Sequence, residues 1–104
     1  MIVTTMNDIP GRKIQRVLGI VRGNTVRSRN IGRDIMAGFK SIVGGEIGTF
    51  TELISQSRDE AYNRMVNKAI EMGADAIIMM RFDASSVMKN SSEILAYGTA
   101  VKLG

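Results

Sequence analysis

NIGRDIMAGFKSIVGGEIGTFTE, residues 30–52, decides how the rest of this chain is read. Asn30 is an N-cap residue by type, because its side-chain oxygen accepts a free amide of a first helical turn. Asp34 lies close enough to that end to favour the positive pole of the helix dipole. Ile31, Ile35, Phe39 and Ile42 recur at i, i+4, i+8 and i+11, which is one apolar helical stripe. Gly32 and Gly38 each weaken such a helix by about 1 kcal/mol relative to alanine, so it depends on packing. Gly44-Gly45 ends it. Thr49-Phe50-Thr51-Glu52 then matches a capping box, in which threonine and glutamate satisfy two orphan amides reciprocally. The stretch therefore predicts a helix, a glycine-rich break and the capped start of a second helix.

The second helix is expected to run to about Met72, with Phe50, Leu53, Ile54, Ala61, Met65, Ala69 and Met72 as its stripe. Glu60 and Arg64 form a favourable i,i+4 pair. Ser57-Arg58-Asp59-Glu60 repeats the capping pattern, which predicts a bend or restart there. Gly73 is the expected stop.

Strand-like sequence flanks this helical centre. Residues 2–5 are β-branched and short. Asp8-Ile9-Pro10-Gly11 follows, and proline then glycine suits the central positions of a type II turn. Residues 14–21 form a second strand with apolar side chains on both parities, where Gly19 leaves room for a bulge or a close backbone approach. Gly23-Asn24 reads either as a hairpin turn or as a bulge within one long strand. Residues 75–82, DAIIMMRF, and 93–103, EILAYGTAVKL, are strands, with the serine-rich residues 84–92 expected as a turn or loop between them. The order β-β-α-α-β-β places the chain in the α+β class, with residues 1–104 as a single domain.

Four strands apolar on both faces exceed what two helices can cover on one face. The uncovered apolar face predicts self-association, for which closed rings and dimers are the usual forms.

The totals narrow the chemistry. A chain of 104 residues, 44% hydrophobic and 23% charged, is ordinary globular material. It contains neither cysteine nor histidine. Disulfides, thiolate nucleophiles, the commonest general base and the commonest metal ligands are therefore all missing. No hydrolase triad can be written without histidine, so an enzyme would have to work through carboxylates, lysine or a bound cofactor. No catalytic or metal-binding residue is assigned. The eight methionines sit at packing positions, and adjacent Met79 and Met80 point to opposite faces of a strand, where they cannot chelate together. The opening MIVTTMNDIPG has no basic region followed by an apolar run, and no apolar window is long enough to cross a membrane. A cytoplasmic location is the expectation.

The net charge of +4 is unevenly placed. Residues 12–40 hold eight basic side chains against Asp34 alone, whereas residues 41–104 hold six basic and eight acidic ones. The basic half does not predict nucleic-acid binding, because its strands carry no aromatic side chains on which bases could stack. It does place Arg33 and Lys40 near the glycine run. The run itself lacks the Lys-Ser/Thr of a phosphate loop and follows a helix instead of a strand, so a C-cap joined to an N-cap is its simplest account. If a small anion binds, the expected holders are Arg33, Lys40 and the backbone around Gly45, Glu46 and Thr49.

VLGIVRGNTV, NIGRDIMAGFKSIVGGE, TELISQSRDEAYNRMVNKAIEMGADAII and YGTAV together resemble the YbjQ-like family of small uncharacterised prokaryotic proteins, across nearly the whole chain. That resemblance implies a four-stranded, mostly antiparallel sheet with two helices on one face, assembling into a ring, a pentamer in the family. The family label also implies heavy-metal binding, for which the residues here offer no thiolate or imidazole. It supplies no catalytic residue to carry over, and no cofactor is identified. Sequence alone thus points to a homo-oligomeric binding or structural module, with a small anion at a subunit interface, and to a metal-binding protein as the alternative.

Overall fold

The computed structural model describes residues 1–28, 46–88 and 91–104, with side chains for 1–26, 51–86 and 91–104. The elements are β1 (Ile2–Val3), β2 (Ile14–Ser28), α1 (Glu46–Glu71), β3 (Ala76–Met88) and β4 (Ser91–Leu103). They build a four-stranded sheet in the order β1-β3-β4-β2. β1 runs parallel to β3, while β3/β4 and β4/β2 are antiparallel, so the sheet is mixed. The α+β class is as expected. The helix expected over residues 30–43 lies outside the described residues.

α1 differs from its sequence reading at both of its internal signals. It starts at Glu46, so Thr49 is already helical and does not occupy an N-cap. A glutamate at the first helical position suits the dipole, which makes the earlier start favourable. It also runs without a break through Ser57-Arg58-Asp59-Glu60, because the Ser57 and Glu60 side chains bond within the helix instead of forming a new cap. Ser57 is buried, and its hydroxyl donates to the Leu53 carbonyl at 2.9 Å. Arg64 bonds Glu60 as the i,i+4 spacing predicts, and also donates to the Asn24 carbonyl at 2.6 Å.

The helix ends where glycine predicts. Gly73 has φ +79°, its amide donates to the Ile70 carbonyl at 2.9 Å, and the Ala74 amide donates to the Ala69 carbonyl at 3.0 Å. This is the Schellman pattern, with Gly73 at C′. The Pro10-Gly11 turn is equally direct: Gly11 has φ +79° and the Arg12 amide closes on the Ile9 carbonyl at 3.0 Å.

Ser57, Ala61, Met65 and Ala69 form the buried stripe of α1. Expected stripe members Ile54 and Met72 are exposed instead. Three of the four buried residues are small, which lets the helix lie close to the sheet. The core they close contains Val21, Ile77, Met80, Ala96 and Ala100. Thr25 is buried here too, and its hydroxyl donates to the Ser57 carbonyl at 3.2 Å.

Gly23-Asn24 is neither a turn nor a bulge. β2 continues through it in unbroken register, Gly23 opposite Ala96 and Asn24 opposite Leu95. The glycine is there because α1 crosses above it: an added Cβ would overlap the Ala61 carbonyl oxygen and the Met65 amide nitrogen. The bulges of β2 lie earlier, between Ile14 and Arg16 and between Val17 and Gly19, the latter agreeing with the expectation for Gly19.

Within the serine-rich stretch expected as a turn or loop, residues 84–88 and 91–92 are strand. Ala84, Ser85 and Ser86 pair with Ile94, Glu93 and Ser92, so the β3–β4 hairpin reaches Met88 opposite Ser91. Strand preference depends on context, and continued pairing with β4 outweighs the turn tendency of serine. β4 spans 13 residues, about 43 Å at the usual rise per residue.

Candidate functional site

Of the residues expected to hold an anion, Arg33, Lys40 and Gly45 lie outside the described residues. Glu46 and Thr49 fall in the first turn of α1, where the helix presents free amides, and only their backbone is described. The side-chain geometry that is fully described belongs to the sheet.

Alternation along the strands separates two faces. Ile77 and Ala100 pair on the helix-covered face, so their neighbours Ala76 and Val101 point the other way. On that opposite face Ala76, Ile78, Val101 and Leu103 form a second small core with Ile9 and Ile14. The chain between β1 and β2 thus covers one end of the face. Its Pro10-Gly11 turn puts Ile9 there, and the Asp75 carboxylate accepts the Leu103 amide at 2.9 Å beside Lys102.

The rest of this face has no cover among the described residues. The register places Val17, Ile20, Arg22, Asn24 and Val26 of β2 on it, opposite Val101, Thr99, Tyr97, Leu95 and Glu93 of β4. Ile20 is 77% exposed, Val17 62%, Val26 49% and Tyr97 37%. Tyr97 is in register with Arg22 on one side and Arg81 on the other. Arg81 is held by the Thr5 and Met80 carbonyls, at 3.0 and 2.8 Å. Asn24 donates to the Glu93 carboxylate at 3.1 Å, which fixes a polar pair within the apolar surface. A β-branched, aromatic and arginine-flanked surface of this kind is suited to contact with another protein surface. The two-parity apolar strands gave a sequence signal for it, but only the register shows which side chains remain uncovered.

β3 carries a distortion beside this face. Two residues, Met79 and Met80, stand opposite Gly98 alone, and Met79 adopts φ +53°. The Met79 amide donates to the Met6 carbonyl at 2.9 Å and the Met80 amide to the Thr4 carbonyl at 3.0 Å. Gly98 leaves room for the bulge, since a Cβ there would stand 2.6 Å from Ile77 Cγ2. Met80 enters the core while Met79 is exposed, so the two thioethers do diverge.

No three carboxylates gather into a metal-binding group among the described residues. No described helix is long and apolar enough to cross a membrane.

Comparison with known proteins places the chain. A family model described as "Putative heavy-metal-binding", YbjQ_1, matches residues 1–104. A UPF0145 protein of Shewanella frigidimarina is 60% identical over 104 residues, covering 100% of this chain and 97% of that protein. Another UPF0145 protein, from Methanoculleus marisnigri, is 54% identical over 103 residues, covering 99% and 96%. A crystal structure of a protein of unknown function in the DUF74 family, from Pediococcus pentosaceus, shares the fold. Its TM-score is 0.65 at 18% identity, covering 100% of this chain and 98% of that one. With its full length matched by the family model and by relatives above half identity, the chain belongs to the uncharacterised YbjQ family, UPF0145.

Proposed function

We propose that this protein acts as a self-associating module, in which copies join through the helix-free face of the sheet. The observation that carries this reading is the exposure of Val17, Ile20, Val26 and Tyr97 together on one face of two long paired strands. Burying them against another copy removes apolar area from water at about 25 cal/mol per Å². Face against the same face closes as a two-fold dimer, whereas a ring closes where this face packs on a second, different surface of the next copy. In such a ring, the finer reading is that Arg33, Lys40 and the backbone at Gly45, Glu46 and Thr49 hold a small anion at the subunit interface. Its support is the charge placement and the helix start at Glu46.

Sedimentation velocity and native mass spectrometry on the untagged chain test the association. The expected result is a discrete oligomer that Val17→Glu with Ile20→Glu converts to a folded monomer of unchanged circular dichroism. A wild-type chain that stays monomeric at micromolar concentration overturns it. Arg33→Ala with Lys40→Ala should keep the oligomer and lose any anion retained in the native spectrum.

A further inference from the structure

We infer that this chain has no site for a thiophilic divalent heavy metal such as zinc, cadmium or mercury, contrary to the description its family carries. Such ions are bound in proteins chiefly through thiolate sulfur and imidazole nitrogen, with carboxylate oxygen completing some zinc sites. The chain contains no cysteine and no histidine, and this holds for every one of its 104 residues. Self-association does not supply the missing donors, because each copy in a homo-oligomer brings the same side chains.

The remaining donors are spent elsewhere or are of the wrong kind. Thioether sulfur is a neutral ligand that suits monovalent copper and does not replace thiolate for divalent ions. Met65 and Met80 are also packed into the core beneath α1. Carboxylate oxygen completes zinc sites beside nitrogen or sulfur ligands, but without them it suits hard ions such as calcium and magnesium. Four of those among the described residues serve the fold: Glu60 binds Arg64, Asp75 binds the Leu103 amide, Asp83 binds the Ala84 amide and Glu93 binds Asn24. Glu60 lies on α1, Asp75 just before β3, Asp83 on β3 and Glu93 on β4, and among the described residues no three acidic side chains converge.

Equilibrium dialysis of the untagged, full-length protein against micromolar zinc or cadmium tests the inference, with bound metal read by elemental mass spectrometry. A polyhistidine tag would itself bind the metal, so it must be absent. The expected result is metal far below one ion per assembly and no change in melting temperature. Retention of one ion per subunit, or of one per assembly, overturns the inference. A melting-temperature rise that a chelator reverses does the same. The readout is independent of oligomeric state, so failure of this inference leaves the self-association reading intact.

Discussion

Gly23 of β2 lies directly beneath Ala61 of α1, so close that a side chain on Gly23 would occupy the space of the Ala61 carbonyl oxygen. The Arg64 Cβ would stand 2.8 Å from the same added carbon. Helix and strand backbones are therefore in near contact at this crossing, and the small residues Ser57, Ala61 and Ala69 permit it. Glycine within a strand ordinarily weakens it, and here the loss is exchanged for the helix's approach. Gly23→Ala should destabilise by about 2–3 kcal/mol, the cost of overpacking against backbone that cannot yield. Urea denaturation checks this. A neutral or stabilising result would show that the helix does not sit where described.

Gly73 is a different case, since nothing lies within 4 Å of a Cβ added there. Its requirement is conformational, from φ +79°. Gly73→Ala should cost about 1 kcal/mol, and Gly73→Asn should cost less, because asparagine tolerates the left-handed region. Equal losses for the two variants in thermal denaturation would point to a packing role instead.

Met79 is the reverse situation, an unbranched but bulky residue held at φ +53° inside a strand. Such a conformation costs about 1–2 kcal/mol for a residue other than glycine. Met79→Gly should therefore leave stability unchanged or raise it, although glycine in strands generally lowers it. A loss of more than about 1 kcal/mol in chemical denaturation would mean that the exposed methionine side chain contributes packing.

Asp75 joins the end of α1 to the end of β4 by accepting the Leu103 amide at 2.9 Å, with Lys102 Nζ 3.8 Å from its other oxygen. The hydrogen bond is the larger contribution, since the ion pair is exposed to solvent. Asp75→Asn should retain an acceptor and lose little, whereas Asp75→Ala should cost about 1–2 kcal/mol. Hydrogen exchange at the Leu103 amide is the direct readout: it should speed up in the alanine variant and barely change in the asparagine variant.

The sheet shows where reading from sequence stops. Pro10-Gly11 and Gly73 were legible because each imposes its geometry through its own backbone. The i,i+4 pair of Glu60 and Arg64 was legible for the same local reason. The turn expected over residues 84–92 fails at Ser85 and Ser86, where turn-favouring residues are drawn into β3 by their partners on β4. Thr49 and Ser57 carried valid capping patterns, yet capping is weak, and the packing of one long helix against β2 overrode both. Of the candidate site, the need to cover a second apolar face could be anticipated from strand parity. Its membership could not, because the bulges of β2 and β3 shift the parity partway along each strand.

By itself the amino-acid sequence determined the α+β class, the two glycine-directed turns and stops, the family, and the absence of thiolate and imidazole chemistry. These depend on residue identity or on interactions a few residues apart. Only the tertiary structure decided why Gly23 is a glycine, that Ser85 and Ser86 are strand, and that Val17, Ile20, Val26 and Tyr97 share an open face. Each of those depends on contacts between segments far apart in sequence, whose geometry no short window of residues contains.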